Sequence, residues 1–170
     1  MRPDPGSPDD RVAEPARQSP GSAVDRVVAA LARAGVAPEI REFPEGTRTA
    51  PEAAAAVGCD VGQICKSLVF RVGDEPLLVV ASGANRVDEA RFGASKADAA
   101  FVREQTGFAI GGVPPVGHDR PIETVIDEDL LRYDVVWAAA GTPRHVFPIA
   151  PDELVARTNG TVVTVASPAS

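Results

Sequence analysis

The sequence predicts a mixed α/β fold: a mixed β-sheet or partly closed barrel flanked by short helices. Three observations point there. Apolar residues fall in short blocks of strand length along the chain, segments with helix-capping signals lie between them, and few connections are long enough for a βαβ crossover. A length of 170 residues fits one domain with a real core, and 44% apolar with 24% charged residues is ordinary for a globular protein.

Residues 1–20 hold five prolines, seven charges and almost no large apolar side chains, so they read as a disordered tail ahead of a domain over residues 21–170. Ser22 can cap a helix that puts Val24, Val27, Val28 and Leu31 on one face and stops at Gly35. "PEIREF" (38–43) alternates like a strand. Thr49 and Glu52 form a capping box before an alanine-rich helix that ends at Gly58. "QICKSLVF" (63–70) and "PLLVVAS" (76–82), separated by "RVGDE", read as a hairpin of buried strands. "RVDEARFGA" (86–94) reads as a helix, "AAFV" (99–102) as a short strand, and "VREQTG" as a helical turn. Strands follow at 122–126, 134–140 and 144–149, then helix "PDELVAR" and a last strand "TVVTV". No internal repeat is visible.

No apolar run approaches the twenty residues of a membrane span, and the N-terminus lacks the basic-then-apolar pattern of a signal peptide. Cys59 and Cys65 stand six apart with no histidine nearby, which suits reduced thiols in a cytosol better than a disulfide or a metal site. The net charge of −7 argues against gripping long stretches of nucleic acid, DNA included, through phosphates. A small, locally positive pocket for the end of an RNA is compatible with it. Fifteen arginines accompany only two lysines, Lys66 and Lys96.

Two features ask for explanation. Residues 107–118, "GFAIGGVPPVGH", concentrate four glycines and two prolines. The gap from Gly112 to Gly117 imitates a P-loop, but His118 and Asp119 stand where Lys and Ser/Thr are needed, and Pro114 and Pro115 lack the N–H groups of a phosphate cradle. The other feature is Lys66. Strand alternation places it with Ile64, Leu68 and Phe70 on an otherwise apolar face. Either it snorkels to water at an edge, or it points into a cavity where a ligand's phosphate or carbonyl oxygen meets it.

Together, "VGQICKSLVF", "TGFAIGGVPPVGH" and "VIDEDLLRYDVVWAAAGTPRHVFPIAPDEL" resemble the YbaK/EbsC family, relatives of the editing domain of bacterial prolyl-tRNA synthetase. The resemblance runs in order over about residues 24–165. It implies a mixed sheet or pseudo-barrel, and trans-editing: hydrolysis of the ester joining a wrong amino acid to the 3′ end of a tRNA, often that for proline. The key lysine would be Lys66, the substrate loop Gly111, Gly112 and Pro115, and the turn facing the pocket Ala140, Gly141 and Thr142. The partners implied are the aminoacyl-tRNA 3′ end and prolyl-tRNA synthetase, in the cytoplasm, with no metal or cofactor.

The residue types suit that chemistry. An aminoacyl ester is already activated, so hydrolysis needs orientation and oxyanion stabilisation more than a strong nucleophile. Glycines let backbone N–H groups approach the ester end, and a lysine ammonium can fix a phosphate or polarise the carbonyl. The sequence shows no Ser-His-Asp or Cys-His arrangement. The cysteinyl-tRNA branch of the family carries "SGGKRG" and a later Asp where this chain has "AAGTPR" and Phe147, so the amino acid stays open. His118 and His145 read as surface or strand residues, Asp127 as the cap of the turn before Leu130, Arg144 as a phosphate contact or a solvated strand end, and Trp137 and Tyr133 as core. The alternative function is a non-catalytic module on the same fold that binds tRNA ends or aminoacyl compounds.

Overall fold

The computed structural model describes residues 22–44 and 47–166; the tail expected over residues 1–20 lies outside them. Helix α1 (Ala23–Arg33) starts at Ser22, whose Oγ accepts from the Asp25 N–H, and buries Val24, Val27 and Leu31. Helix α2 (Ala50–Val57) carries the complete Thr49–Glu52 capping box and ends at Gly58 with φ of +79°. Both helices are where their caps place them.

Strands β2 (Cys65–Val72) and β3 (Glu75–Ser82) form the expected hairpin, closed tightly at Gly73–Asp74 with Lys66 opposite Ala81. β4 (Ser95–Lys96) flanks only the Phe70–Arg71 end of β2. β5 (Glu123–Asp127) runs parallel to β3, and β8 (Thr161–Val163) parallel to β5. The resulting sheet of five has the order β4-β2-β3-β5-β8. A second, antiparallel sheet of three is ordered β1 (Arg41–Glu42), β7 (His145–Ile149), β6 (Val136–Ala139). A parallel bridge from Ile64 to Trp137 joins the two sheets. This is the mixed α/β architecture that the interleaved short elements predict.

Residues 99–102 correct one expectation. "AAFV" opens helix α3 (Ala99–Thr106), because Asp98 caps it: its Oδ1 accepts from the Phe101 N–H at 2.8 Å. A four-residue apolar run has too little periodicity to separate strand from buried helix, and the cap decides. "RVDEARFGA" keeps only a 3₁₀ turn over Glu89–Phe92. The strand expected at 38–43 shrinks to two residues.

The main core lies between one face of the large sheet, α1 and α4 (Pro151–Thr158), with Leu31, Leu78, Val80, Ile126, Phe147 and Leu154 at its centre. The opposite face of that sheet, with Phe70, Leu77 and Val79, packs under residues 87–94 and Val165. A third cluster, containing Phe43, Ile64 and Trp137, sits beneath α2. Between the Ile64 bridge and β4, no strand among the described residues covers the side of β2 that faces away from β3. That open edge positions the site.

Candidate active site

A cleft of about 1090 Å³ follows the open edge of β2 from Trp137 and Val146 at one end to Lys96 at the other. Its charge is the reverse of the chain's. Among the described lining residues, Arg48, Lys66, Arg86, Lys96 and Arg144 face a single carboxylate, Glu89. In a chain of net charge −7 such a concentration focuses a positive potential where an anion would enter. Two of these cations are partly occupied: Lys96 lies 4.0 Å from Glu89, and Arg144 donates to the Phe43 carbonyl and pairs with Glu42 at 3.5 Å.

Lys66 lies on the face of β2 shared with Leu68 and Phe70, as alternation requires, and it is half-buried. Its Nζ donates to the Asn85 carbonyl at 2.5 Å. Burial pushes its pKa below the ordinary lysine value, neighbouring Arg86 pushes the same way, and Asp127 opposes them. The ammonium is thus held in place by a carbonyl and, among the described residues, paired with no carboxylate, which leaves donors free for an incoming oxygen.

Asp127 explains why Asn85 is fixed. It is buried, and its Oδ1 caps the following 3₁₀ turn by accepting from the Asp129 N–H at 2.9 Å. Its Oδ2 accepts from the Ser82 N–H and from Asn85 Nδ2, each at 2.9 Å. Asn85 Nδ2 also donates to Asp129 at 2.8 Å. The capping role read from the sequence is therefore present, and a second role joins it: Asp127 orients the residue whose carbonyl receives Lys66. Sequence reasoning missed Asn85 and Ser82. The signal is "SGAN" at the end of a buried strand, polar residues where apolar ones would otherwise continue.

The glycine loop forms part of the opposite wall. Ile110, half exposed, and Gly111, at φ of +88°, line the cleft beside Pro143. Gly112 does something else. A Cβ there would lie 2.6 Å from the Thr142 Cα and 2.8 Å from the Gly141 carbonyl oxygen, so this loop and the 141–143 turn touch backbone to backbone. Gly141 in turn sits at φ of +102° against the Ala23 backbone at the start of α1. Arg26 of α1 fastens both ends of the glycine loop: it donates to the Gly107 carbonyl, pairs with Asp119 at 3.3 Å and stacks on the Phe108 ring. Nothing local in the sequence announces that clasp, since Arg26 lies 81 residues from Gly107.

Of the site residues expected from the sequence, Lys66 and Gly111 line the cleft together. Gly112, Gly141 and Thr142 form the loop contact just behind it, Pro115 is buried in its loop, and Ala140 lies fully buried in the main core with Phe147. Thr142 Oγ1 accepts from the Arg144 N–H and meets His145 Nδ1 at 2.6 Å. His145 borders the cleft; burial lowers its pKa, Glu42 opposes this and Arg144 adds to it. His118 is turned inward: its Nε2 donates to the Pro114 carbonyl at 2.7 Å, and burial lowers its pKa too. Trp137 and Tyr133 pack against the apolar clusters. The Cys65 thiol is sealed in the core, far too reluctant to ionise to act as a nucleophile.

A mixed sheet whose open strand edge floors a cationic cleft, with one restrained lysine at its centre, is a site suited to an anionic group. The family profile of the aminoacyl-tRNA editing domain matches residues 44–156, about two thirds of the chain, and the protein belongs to that family, in its YbaK/EbsC branch. It is 34% identical over 123 residues to the uncharacterised protein YwhH of Bacillus subtilis, covering 68% of this chain and 78% of that one. It is 26% identical over 127 residues to EbsC of Enterococcus faecalis, a proposed Cys-tRNA(Pro)/Cys-tRNA(Cys) deacylase, covering 69% and 77%. Among solved structures, a proposed trans-editing enzyme for prolyl-tRNA synthetase superposes with a TM-score of 0.81 at 47% identity, over 89% of this chain and 99% of that one. Among the described residues no helix is long and apolar enough to cross a membrane.

Proposed function

We propose that this protein is a trans-editing deacylase, which hydrolyses the ester of a mischarged tRNA, with tRNA for proline the first to test. The observation that carries the reading is the cation-lined cleft around Lys66 in an otherwise acidic chain of the aminoacyl-tRNA editing family. The 3′ end of a tRNA is a short run of phosphates ending in an ester, and the cleft offers charge for the first and a fixed ammonium for the second. Likeness to the proposed trans-editing enzyme for prolyl-tRNA synthetase supports that synthetase as the source of the error, in the cytoplasm where tRNA is charged.

In this reaction water adds to the ester carbonyl carbon. Negative charge develops on the carbonyl oxygen, the bond to the ribose oxygen breaks, and the ribose hydroxyl regains a proton as the amino acid leaves as its carboxylate. Lys66 Nζ, held by Asn85, stabilises the developing oxyanion or the adjoining phosphate. Gly111 lets the loop backbone approach the ester end, and Gly112, Gly141 and Thr142 hold the loop pair in register. No metal or cofactor enters this route. A deacylation screen over a panel of mischarged tRNAs tests it: release of amino acid from at least one is expected, and release from none would refute the reading.

A further inference from the structure

Lys66 has a neighbour with no assigned task. Ser67 lies midway along the open edge of β2, between the bridge at Ile64 and the pairing of Phe70 with β4, and it lines the cleft. The Gly83 N–H donates to the Ile64 carbonyl, so Ile64 spends its backbone carbonyl on the β3 side. Along an antiparallel strand these directions alternate, which turns the N–H and C=O of Ser67 away from β3 and into the cleft. No strand among the described residues meets them there. The Ser67 Oγ is buried and has no hydrogen-bond partner among the described residues. A hydroxyl with no bond to lose turns about χ1 at little cost, and a bound group that offers it a partner favours that turn.

We infer that this edge receives the aminoacyl part of the substrate as a strand receives one more residue: the α-amino group donates to the Ser67 carbonyl and to its reoriented Oγ. The inference rests on the deacylase reading and adds what recognises the amino acid's backbone end. Both acceptors are neutral, which matters in this cleft. A cationic α-amino group is repelled by Arg86 and Lys96, and Glu89, the one carboxylate among the described lining residues, is engaged with Lys96. A strand-edge carbonyl and a hydroxyl can accept from it without a carboxylate. Such an anchor sees no side chain, so it suits an enzyme that must hold any wrongly attached amino acid by the part common to all. Ser67 is thus a positioning residue beside Lys66, on the same strand and one residue on.

The test uses the best substrate of the mischarged-tRNA panel and the same tRNA carrying the matching desamino acid, which keeps the ester and loses the amino group. Rates are divided by those of uncatalysed hydrolysis. Wild type should favour the aminoacyl ester by roughly 10-fold in kcat/KM, the scale of one buried hydrogen bond to a charged group. Ser67→Ala should shrink that preference several-fold while leaving the desamino ester and the melting temperature nearly unchanged. A wild-type ratio near one, or a ratio that Ser67→Ala leaves as it was, overturns the inference while the deacylase reading stands. Hydrolysis of neither ester removes the deacylase reading and the inference with it.

Discussion

The two walls of the cleft are built by different means. On the strand wall, position is enforced by polar side chains: Asp127 holds Ser82 and Asn85, and the Asn85 carbonyl holds Lys66. On the loop wall it is enforced by missing side chains: Gly112 admits the Thr142 backbone, and Gly141 admits the start of α1. The difference teaches where function and stability separate. At Lys66 the chain keeps a half-buried ammonium, which costs stability and, under the proposed function, serves chemistry. At Gly112 the proposed function makes one residue serve both, because the loop that lines the cleft is also the packing contact.

The sharpest way to break this comparison is Lys66→Ala. Under the proposed function it should lower deacylation by about 10²-fold or more, the scale of one lost oxyanion donor, with the melting temperature steady or slightly higher. Lys66→Arg should rescue poorly, since a planar fork does not replace a compact ammonium. Single-turnover rates on the best panel substrate check both, and full activity in the alanine variant would remove Lys66 from the chemistry.

Asp127→Ala tests the frame behind the lysine. Three donors lose their acceptor inside the protein, so unfolding in urea should show a loss of about 2–3 kcal/mol, with the rate falling as Asn85 loosens. An equally stable variant would mean that the network does not hold the strand wall.

Gly112→Ala tests the loop wall. Its φ is not in the left-handed region, so the cost should come from the contact with Thr142, at about 1–3 kcal/mol, with activity falling in step. Lost activity at unchanged stability would move Gly112 from packing to direct substrate contact.

The smallest effect concerns pH. His118 is half-buried, and burial holds its pKa below the ordinary value near 6.5, so as pH falls the unfolded chain takes up its proton first. Stability should therefore fall as pH drops from about 6.5 toward the lower folded value, and this contribution should vanish above 6.5. His118→Gln, which can still donate to Pro114, should flatten that part of the melting-temperature profile. A profile unchanged by the substitution would assign the slope elsewhere, His145 being the next group to test.

Local signals were enough for much of this molecule. Ser22, the Thr49–Glu52 pair and the glycines after the helices mark their ends, because caps satisfy backbone groups within a few residues of themselves. The hairpin follows from two apolar runs and a Gly-Asp turn, and period-two alternation alone puts Lys66 on its face. The lysine and the glycine loop were legible as oddities, one by its charge and the other by its composition. What the sequence could not order were contacts between distant segments. Helix α3 was obscured because four apolar residues have no distinct period, and the parallel pairing of β3, β5 and β8 joins segments with helices and strands between them. Ala140 and Phe147 sit in a turn and strand that adjoin the cleft, yet only packing shows that they fill the core behind it. The open edge of β2 was likewise decided by tertiary structure. An edge is the absence of a neighbour, and which strands stop short of Ser67 depends on where β4 and β6 come to rest, not on any residue beside it. The sequence by itself determined most of the elements and the charge at Lys66; the fold determined what that charge faces, because only three-dimensional packing sets Asn85 and Asp127 behind Lys66 and brings the glycine loop and the 141–143 turn to the cleft wall.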